Sequence, residues 1–223
     1  MCTAEAETGA DGAGLTVWLD LMQWLSPAFP TGAFAYSHGL EQAIAADEVR
    51  SEAALSDWLD DILRYGAGWN DAVLIGAALA GEALEPLADL ARALAGSAER
   101  LAETEAQGRA FTLARNEMTG AAEAALPLPL AFARAALRVN APAEPAIALF
   151  LHAFASNLVS CAVRFMPLGQ AAGQRVLAGL HPRIAELASR AARAGTGALA
   201  TSAFRADLGA MAHETMEVRI FRT

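Results

Sequence analysis

Ser26-Pro27-Ala28-Phe29-Pro30-Thr31-Gly32-Ala33-Phe34-Ala35-Tyr36-Ser37-His38-Gly39-Leu40-Glu41 decides how this chain is read. Proline fixes φ and removes a donor. Glycine opens backbone angles that other residues resist. Pro27, Pro30, Gly32 and Gly39 therefore make this a shaped corner between two apolar runs, not a linker. Phe29, Phe34 and Tyr36 lie within it, followed by the polar groups of Ser37, His38 and Glu41. On its own the segment is equally a plug for the core or a display loop.

Working outward, the apolar spacing is helical throughout. Leu15, Trp18, Leu19, Met22 and Leu25 predict a first helix over about 15–25, after a small, acidic, Gly-rich tail over 1–14 that reads as disordered. A second helix is expected from about Gly32 to Ala46. Ser51 can cap a third, carrying Leu55, Trp58, Leu59, Ile62 and Leu63, with a break near Gly66 and Gly68 before 72–80. Further helices are predicted over 85–94, 97–125, 130–139, 144–165, 169–179, 182–194 and 203–213. The 144–165 helix is the most apolar and is expected to be central. An alternating tail, 214–223, follows. No strand pairing or fixed repeat is visible. The fold class is all-α: a single-domain bundle of roughly eight to ten helices over 15–213.

Composition narrows the function. The 223 residues carry a net charge of -9, which argues against nucleic acid as a partner. No apolar run reaches the roughly 18 uninterrupted residues of a membrane span, and the start lacks the basic segment of a signal peptide, so a cytoplasmic protein without a membrane partner is expected. About a quarter of the chain is alanine, and all 16 basic residues are arginine. Without lysine there is no Walker A or Schiff-base chemistry. Cys2 and Cys161 are expected to form neither a disulfide nor a metal site.

No catalytic constellation emerges, so the chain reads as a non-enzyme with no cofactor or metal. His213-Glu214-Thr215-Met216-Glu217 begins like a zinc-protease helix, but Glu217 stands where the second histidine is needed. His38, His152, His181 and His213 are scattered in sequence, and His152 reads as a satisfied core histidine. Cys161 faces apolar neighbours, which would raise its pKa. Glu41, Asp71 and Arg164 are charges in apolar surroundings. Each must pair internally or line a surface that another protein covers.

Three of these stretches resemble a family. The corner 26–41, then Arg164-Phe165-Met166-Pro167-Leu168-Gly169-Gln170-Ala171-Ala172-Gly173-Gln174, and the end with Met211-Ala212-His213-Glu214-Thr215 and Arg219-Ile220-Phe221-Arg222-Thr223, are similar in order and spacing to the urease accessory protein UreF. The resemblance covers nearly the whole chain, although 125–142 matches poorly. It implies an all-α, homodimeric scaffold that joins UreD (also called UreH) and the GTPase UreG, in the complex that delivers nickel to apo-urease and modulates the GTPase. It also implies partner-binding residues: Phe34, Tyr36, Ser37, His38, Glu41, Asp71, Arg164, Gln170, Gln174, His213, Glu214, Arg219 and Phe221. Within the corner, Pro30, Gly32 and Phe34 are expected to pack, while Ser37, His38 and Glu41 face a partner. On that reading Glu41→Ala spares the fold, and the tail orders only on binding. The rival reading is an all-α small-ligand-binding or regulatory protein with its site in the bundle.

Overall fold

The computed structural model describes residues 8–222, and among these it has ten α-helices and no strand. The all-α expectation is met. The helices are α1 (Thr8–Trp24), α2 (Leu40–Ala45), α3 (Glu52–Tyr65), α4 (Ala67–Leu79), α5 (Leu84–Ala93), α6 (Ala98–Thr119), α7 (Leu128–Arg138), α8 (Ala143–Phe165), α9 (Gln170–Ala191) and α10 (Phe204–His213). Single 3-10 turns lie at Ala33–Ala35 and Thr196–Ala198. Residues 1–7, half of the expected disordered tail and the site of Cys2, fall outside the described residues, as does Thr223. The rest of that tail belongs to α1.

The centre of the bundle is α4, not the more apolar α8. Every residue of α4 from Gly68 to Ala78 is buried, with α3, α5, α7, α8 and α9 packed around it. Small side chains explain the difference, because helices approach closely only where Cβ groups are few. A methyl added at Gly76 would sit 2.4 Å from the carbonyl oxygen of Ala191, so the end of α9 rests directly on this helix. In α8, Ile147, Leu151 and Leu158 are buried, but Leu149, Phe154 and Val163 are only partly covered. It is the one described helix long and apolar enough to cross a membrane, and half of its apolar window is buried inside the fold.

Two predicted boundaries move for opposite reasons. The helix expected over 32–46 shrinks to α2, because His38 and Gly39 adopt positive φ of 53° and 73°. Conversely, Pro182 does not open a helix. It sits exposed inside a continuous α9. An internal proline forfeits a backbone hydrogen bond. The helix persists because Leu177, Leu180, Ile184 and Leu187, on both sides of it, form one buried stripe, with α9 packed on α3 and α8. The break at Gly66 separates α3 from α4 as expected.

The corner is held by α8 and α10. Asn157 Nδ2 donates to the Tyr36 carbonyl at 3.2 Å, and Arg164 Nη2 donates to the Phe34 carbonyl at 2.8 Å. Gly39 lies against α10, where an added methyl would stand 2.5 Å from the Ala210 backbone nitrogen. It thus needs glycine twice, for its left-handed φ and for the missing Cβ. Gly39→Ala is expected to destabilise the fold by at least about 2 kcal/mol, a strained αL residue alone being of order 1–3. Thermal unfolding checks this, with a clear drop in Tm predicted.

Candidate functional site

The chain's end is stitched to the corner by one carboxylate and by one backbone bond, from the Arg222 amide to the Ala35 carbonyl at 2.7 Å. Glu41, in the first turn of α2, is 2% exposed. Its Oε1 accepts from the Ile220 amide at 2.7 Å, and its Oε2 accepts from the Phe221 amide at 2.9 Å. Oε2 also meets His213 Nε2 at 3.1 Å. Its acceptor positions are thereby filled in a dry site. Ser37, fully buried, accepts from the Glu41 amide at 3.3 Å and so starts the turn that carries it.

The cluster continues into the N-terminus of α6. His213 Nδ1 lies 2.7 Å from Glu99 Oε2, so the buried ring is held by carboxylates on both sides. Arg219 pairs with the other Glu99 oxygen. Glu214 Oε1 accepts from the amides of Ala98 and Glu99 at 2.8 and 3.3 Å. It supplies negative charge where the helix presents unpaired N–H groups. The protease-like run is therefore a structural clamp: both nitrogens of His213 are engaged, and its glutamate caps another helix. His213 and Glu214 bond across more than a hundred positions of sequence, while Thr215 bonds locally, its hydroxyl donating to the Ala212 carbonyl at 3.0 Å.

A second buried network lies beneath. His38 Nε2 is 2.9 Å from Glu103 Oε1, which also accepts from Gln107 Nε2 at 2.7 Å. Arg100 bridges Asp71 at 3.0 Å and Glu103 at 3.5 Å. Burial pushes the Asp71 carboxyl above the usual aspartate range, against the pull of Arg100. Burial acts the same way on Glu103, but His38 and Arg100 together outweigh it and hold that carboxyl below the glutamate range. Side-chain hydrogen bonds from His38 and Gln107 add to the pull on Glu103, whereas Asp71 has Glu103 itself as a like-charged neighbour. The His38 ring also stands edge-on to Phe154, with centroids 4.8 Å apart.

Together these contacts place every predicted site residue. Glu41, His213, Glu214, Arg219 and Phe221 converge on one clamp. Ser37, His38 and Asp71 lie behind it, so Ser37, His38 and Glu41 are buried and do not face outward. Phe34 reverses in the other sense: expected to pack, it is 65% exposed. Tyr36 is buried. Arg164 is exposed, donates to Phe34 and stacks on the buried Phe221 ring at 4.9 Å. Its neighbour Cys161 is pushed up to about 11 by burial, as expected of an inert thiol. Gln170 and Gln174 are exposed on the first turns of α9 and join neither network. The tail is ordered against its own chain.

Sequence reading missed Glu99, Arg100, Glu103 and Gln107. Their signal was present in another form: along α6 the buried face is carried by Glu103, Thr104 and Gln107, with Phe111 its main apolar anchor. Beside this network, Trp24, Phe111, Phe132, Phe150 and Phe154 help line a cavity of about 160 Å³.

Comparison with known proteins finds relatives along nearly the whole chain. A protein-family model described as UreF matches residues 49–181. A urease accessory protein UreF of Cereibacter sphaeroides is 57% identical over 205 residues, covering 92% of this chain and 98% of that protein. The UreF of Paracoccus denitrificans is 50% identical (92% and 95% covered), and that of Dinoroseobacter shibae 48% (92% and 98%).

Two outcomes follow from the buried carboxylates. Glu41→Ala leaves two tail amides and His213 without their acceptor, and is expected to cost about 3–5 kcal/mol, the range for breaking a buried pair from one side. Chemical denaturation measures it, and the fold is not spared. For Glu103 the folded pKa lies below the unfolded one, so the unfolded state binds more protons as pH falls. Its contribution is complete above the ordinary glutamate range and is lost as pH drops through the depressed folded value. Glu103→Gln should accordingly flatten the acid limb of a stability-versus-pH curve.

Proposed function

The chain belongs to the UreF family of urease accessory proteins, and on that premise we propose that it is a non-catalytic cytoplasmic scaffold. It joins UreD (UreH) to the GTPase UreG in the complex that delivers nickel to apo-urease, and its docking modulates the GTPase. The observation that carries this reading is the apolar rim left uncovered around the clamp. On α10, Phe204, Leu208 and Met211 recur at helical spacing and are 70%, 65% and 49% exposed. Val218 and Ile220 of the tail are 79% and 69% exposed, while Phe221 between them and the corner is buried. Exposed apolar side chains on one helix face are the usual mark of a protein-binding surface.

In this reading UreD covers the α10 and tail face, and Phe34, Arg164 and Arg219 are read at its edge. Glu41, His213 and Glu214 act from behind, by holding the tail in a shape the partner can meet without first ordering it. Gln170 and Gln174 offer a separate polar contact. A second copy of the chain covers α1, whose Leu15, Leu19 and Met22 form another exposed stripe at helical spacing.

Deleting the tail would unmake the Glu41 site, so surface substitutions test the docking more cleanly. Leu208→Asp should leave Tm unchanged and abolish co-purification with UreD. Undiminished co-purification would remove α10 from the interface. Loss of the gene should leave urease inactive at normal nickel, and full activity would sink the scaffold reading itself. The small-ligand alternative rests on the aromatic cavity beside His38. Calorimetry with nucleotides and metabolites decides it, since tight binding by the isolated chain would favour that alternative.

A further inference from the structure

Two side chains that line the aromatic cavity beside His38 carry a buried polar atom with no hydrogen-bond partner among the described residues. One atom is Glu103 Oε2. Its twin, Oε1, serves both His38 and Gln107, while Oε2 has only a long ion pair with Arg100, at 3.5 Å. A charge-assisted bond is normally about 2.7–2.9 Å. The other atom is the indole Nε1 of Trp24, a donor on a side chain that is 2% exposed. Buried polar groups in folded proteins are nearly always bonded, and a buried Trp N–H usually finds an acceptor. We propose that this cavity binds a small neutral aromatic molecule bearing a hydroxyl or amino group, its ring held by the aromatic walls and its polar hydrogen donated to Glu103.

Size and lining define the ligand. The volume is about 160 Å³. An apolar cavity of about 150 Å³ holds one benzene ring, so there is room for a single ring and not for a nucleotide. The buried Phe111, Phe132 and Phe150 form the wall with Trp24 and the half-buried Phe154. A flat ring finds both faces and edges to pack on there. Apolar walls with a few converging polar groups are the usual make-up of a small-molecule site.

The polar end selects the substituent. Against the push of burial, His38 and Arg100 hold the Glu103 carboxyl below the glutamate range, so it is an ionised acceptor at neutral pH. Arg100 beside it would repel a second cation, which favours a neutral O–H or N–H over an ammonium group. A hydroxyl also carries an acceptor, the complement of the Trp24 N–H. Entry lies between the corner and α8, where the exposed Pro27, Phe34 and Ser160 line the cavity. The exposed Phe34 ring thus stands at its rim. The site does not depend on the assembly role proposed above: Leu208→Asp reads the docking surface, whereas phenol reads the cavity.

Phenol is titrated into the full chain by calorimetry, and the Trp24 indole N–H is followed by NMR. Benzene serves as the probe without a polar hydrogen. One phenol per chain is expected, with a shift of the Trp24 signal and an affinity at least tenfold above that of benzene. Ala153→Leu adds bulk at a half-buried lining position outside both buried networks, and should weaken phenol at least tenfold with Tm nearly unchanged. The near-isosteric Glu103→Gln should erase the preference for phenol over benzene. The proposal is overturned by any of four results: no saturable phenol binding, equal affinity for phenol and benzene, phenol affinity unchanged in Ala153→Leu, or a phenol preference that survives Glu103→Gln.

Discussion

The buried carboxylate of Glu41, beside one backbone bond from Arg222 to Ala35, ties the corner to the C-terminal tail. Glu41 is nearly dry, and a charge in such a place is tolerated only if its lone pairs are filled. The fillers come from the far end of the sequence: two tail amides and the ring of His213. The corner must therefore present Glu41 at one fixed point, and the tail must bend to meet it. Gly39 makes this possible by letting α10 lie on the corner backbone. His38 accepts a left-handed backbone in the same turn, a strain of order 1–3 kcal/mol that the His38–Glu103 contact and the packing on Phe154 help offset.

Helix α6 completes the arrangement from the other side. It buries polar groups where the other helices bury leucine, and the charged ones are answered: Glu99 by His213 and Arg219, Glu103 by His38, Gln107 and Arg100, and Asp71 on α4 by Arg100; the buried Thr104 hydroxyl has no hydrogen-bond partner among the described residues. Such networks contribute less net stability than an equal volume of hydrocarbon, and removing one member is costly. What they add is geometry. The corner, tail and α10 form one face with exposed apolar groups at Phe204, Leu208, Val218 and Ile220, shaped from behind by the buried Glu41 and His213 and at its edge by the exposed Arg164, Glu214 and Arg219. That division of labour suits a protein that presents a preformed surface to partners.

Much of this was legible in the sequence. Helical spacing located α3, α5, α7, α8 and α10 closely, because their apolar stripes are strong and their ends carry clear punctuation. The corner, Arg164 and the tail were singled out, and the structure does join them. The errors have physical causes. Local propensity placed a helix at 32–46, where positive φ at His38 and Gly39 forbids it. Pro182 looked like a boundary because packing against α3 and α8 cannot be seen from one strand of sequence. Exposure was misjudged in both directions: Glu41 is charged yet buried, and Phe34 is apolar yet exposed. Charge identifies a group that needs a partner, but not whether that partner lies in the same chain. The answering residues, Glu99 to Gln107, sit on a helix with almost no apolar stripe, which a search for hydrophobic periodicity passes over.

The central claim is that the tail is locked to the corner in the chain by itself. Amide hydrogen exchange at Ile220 and Phe221 measures this directly, since both amides donate to Glu41. Protection approaching that of α4 amides is predicted for the isolated protein. Exchange at the rate of an unstructured peptide would contradict the account, and would mean that the tail meets Glu41 only when a partner is bound.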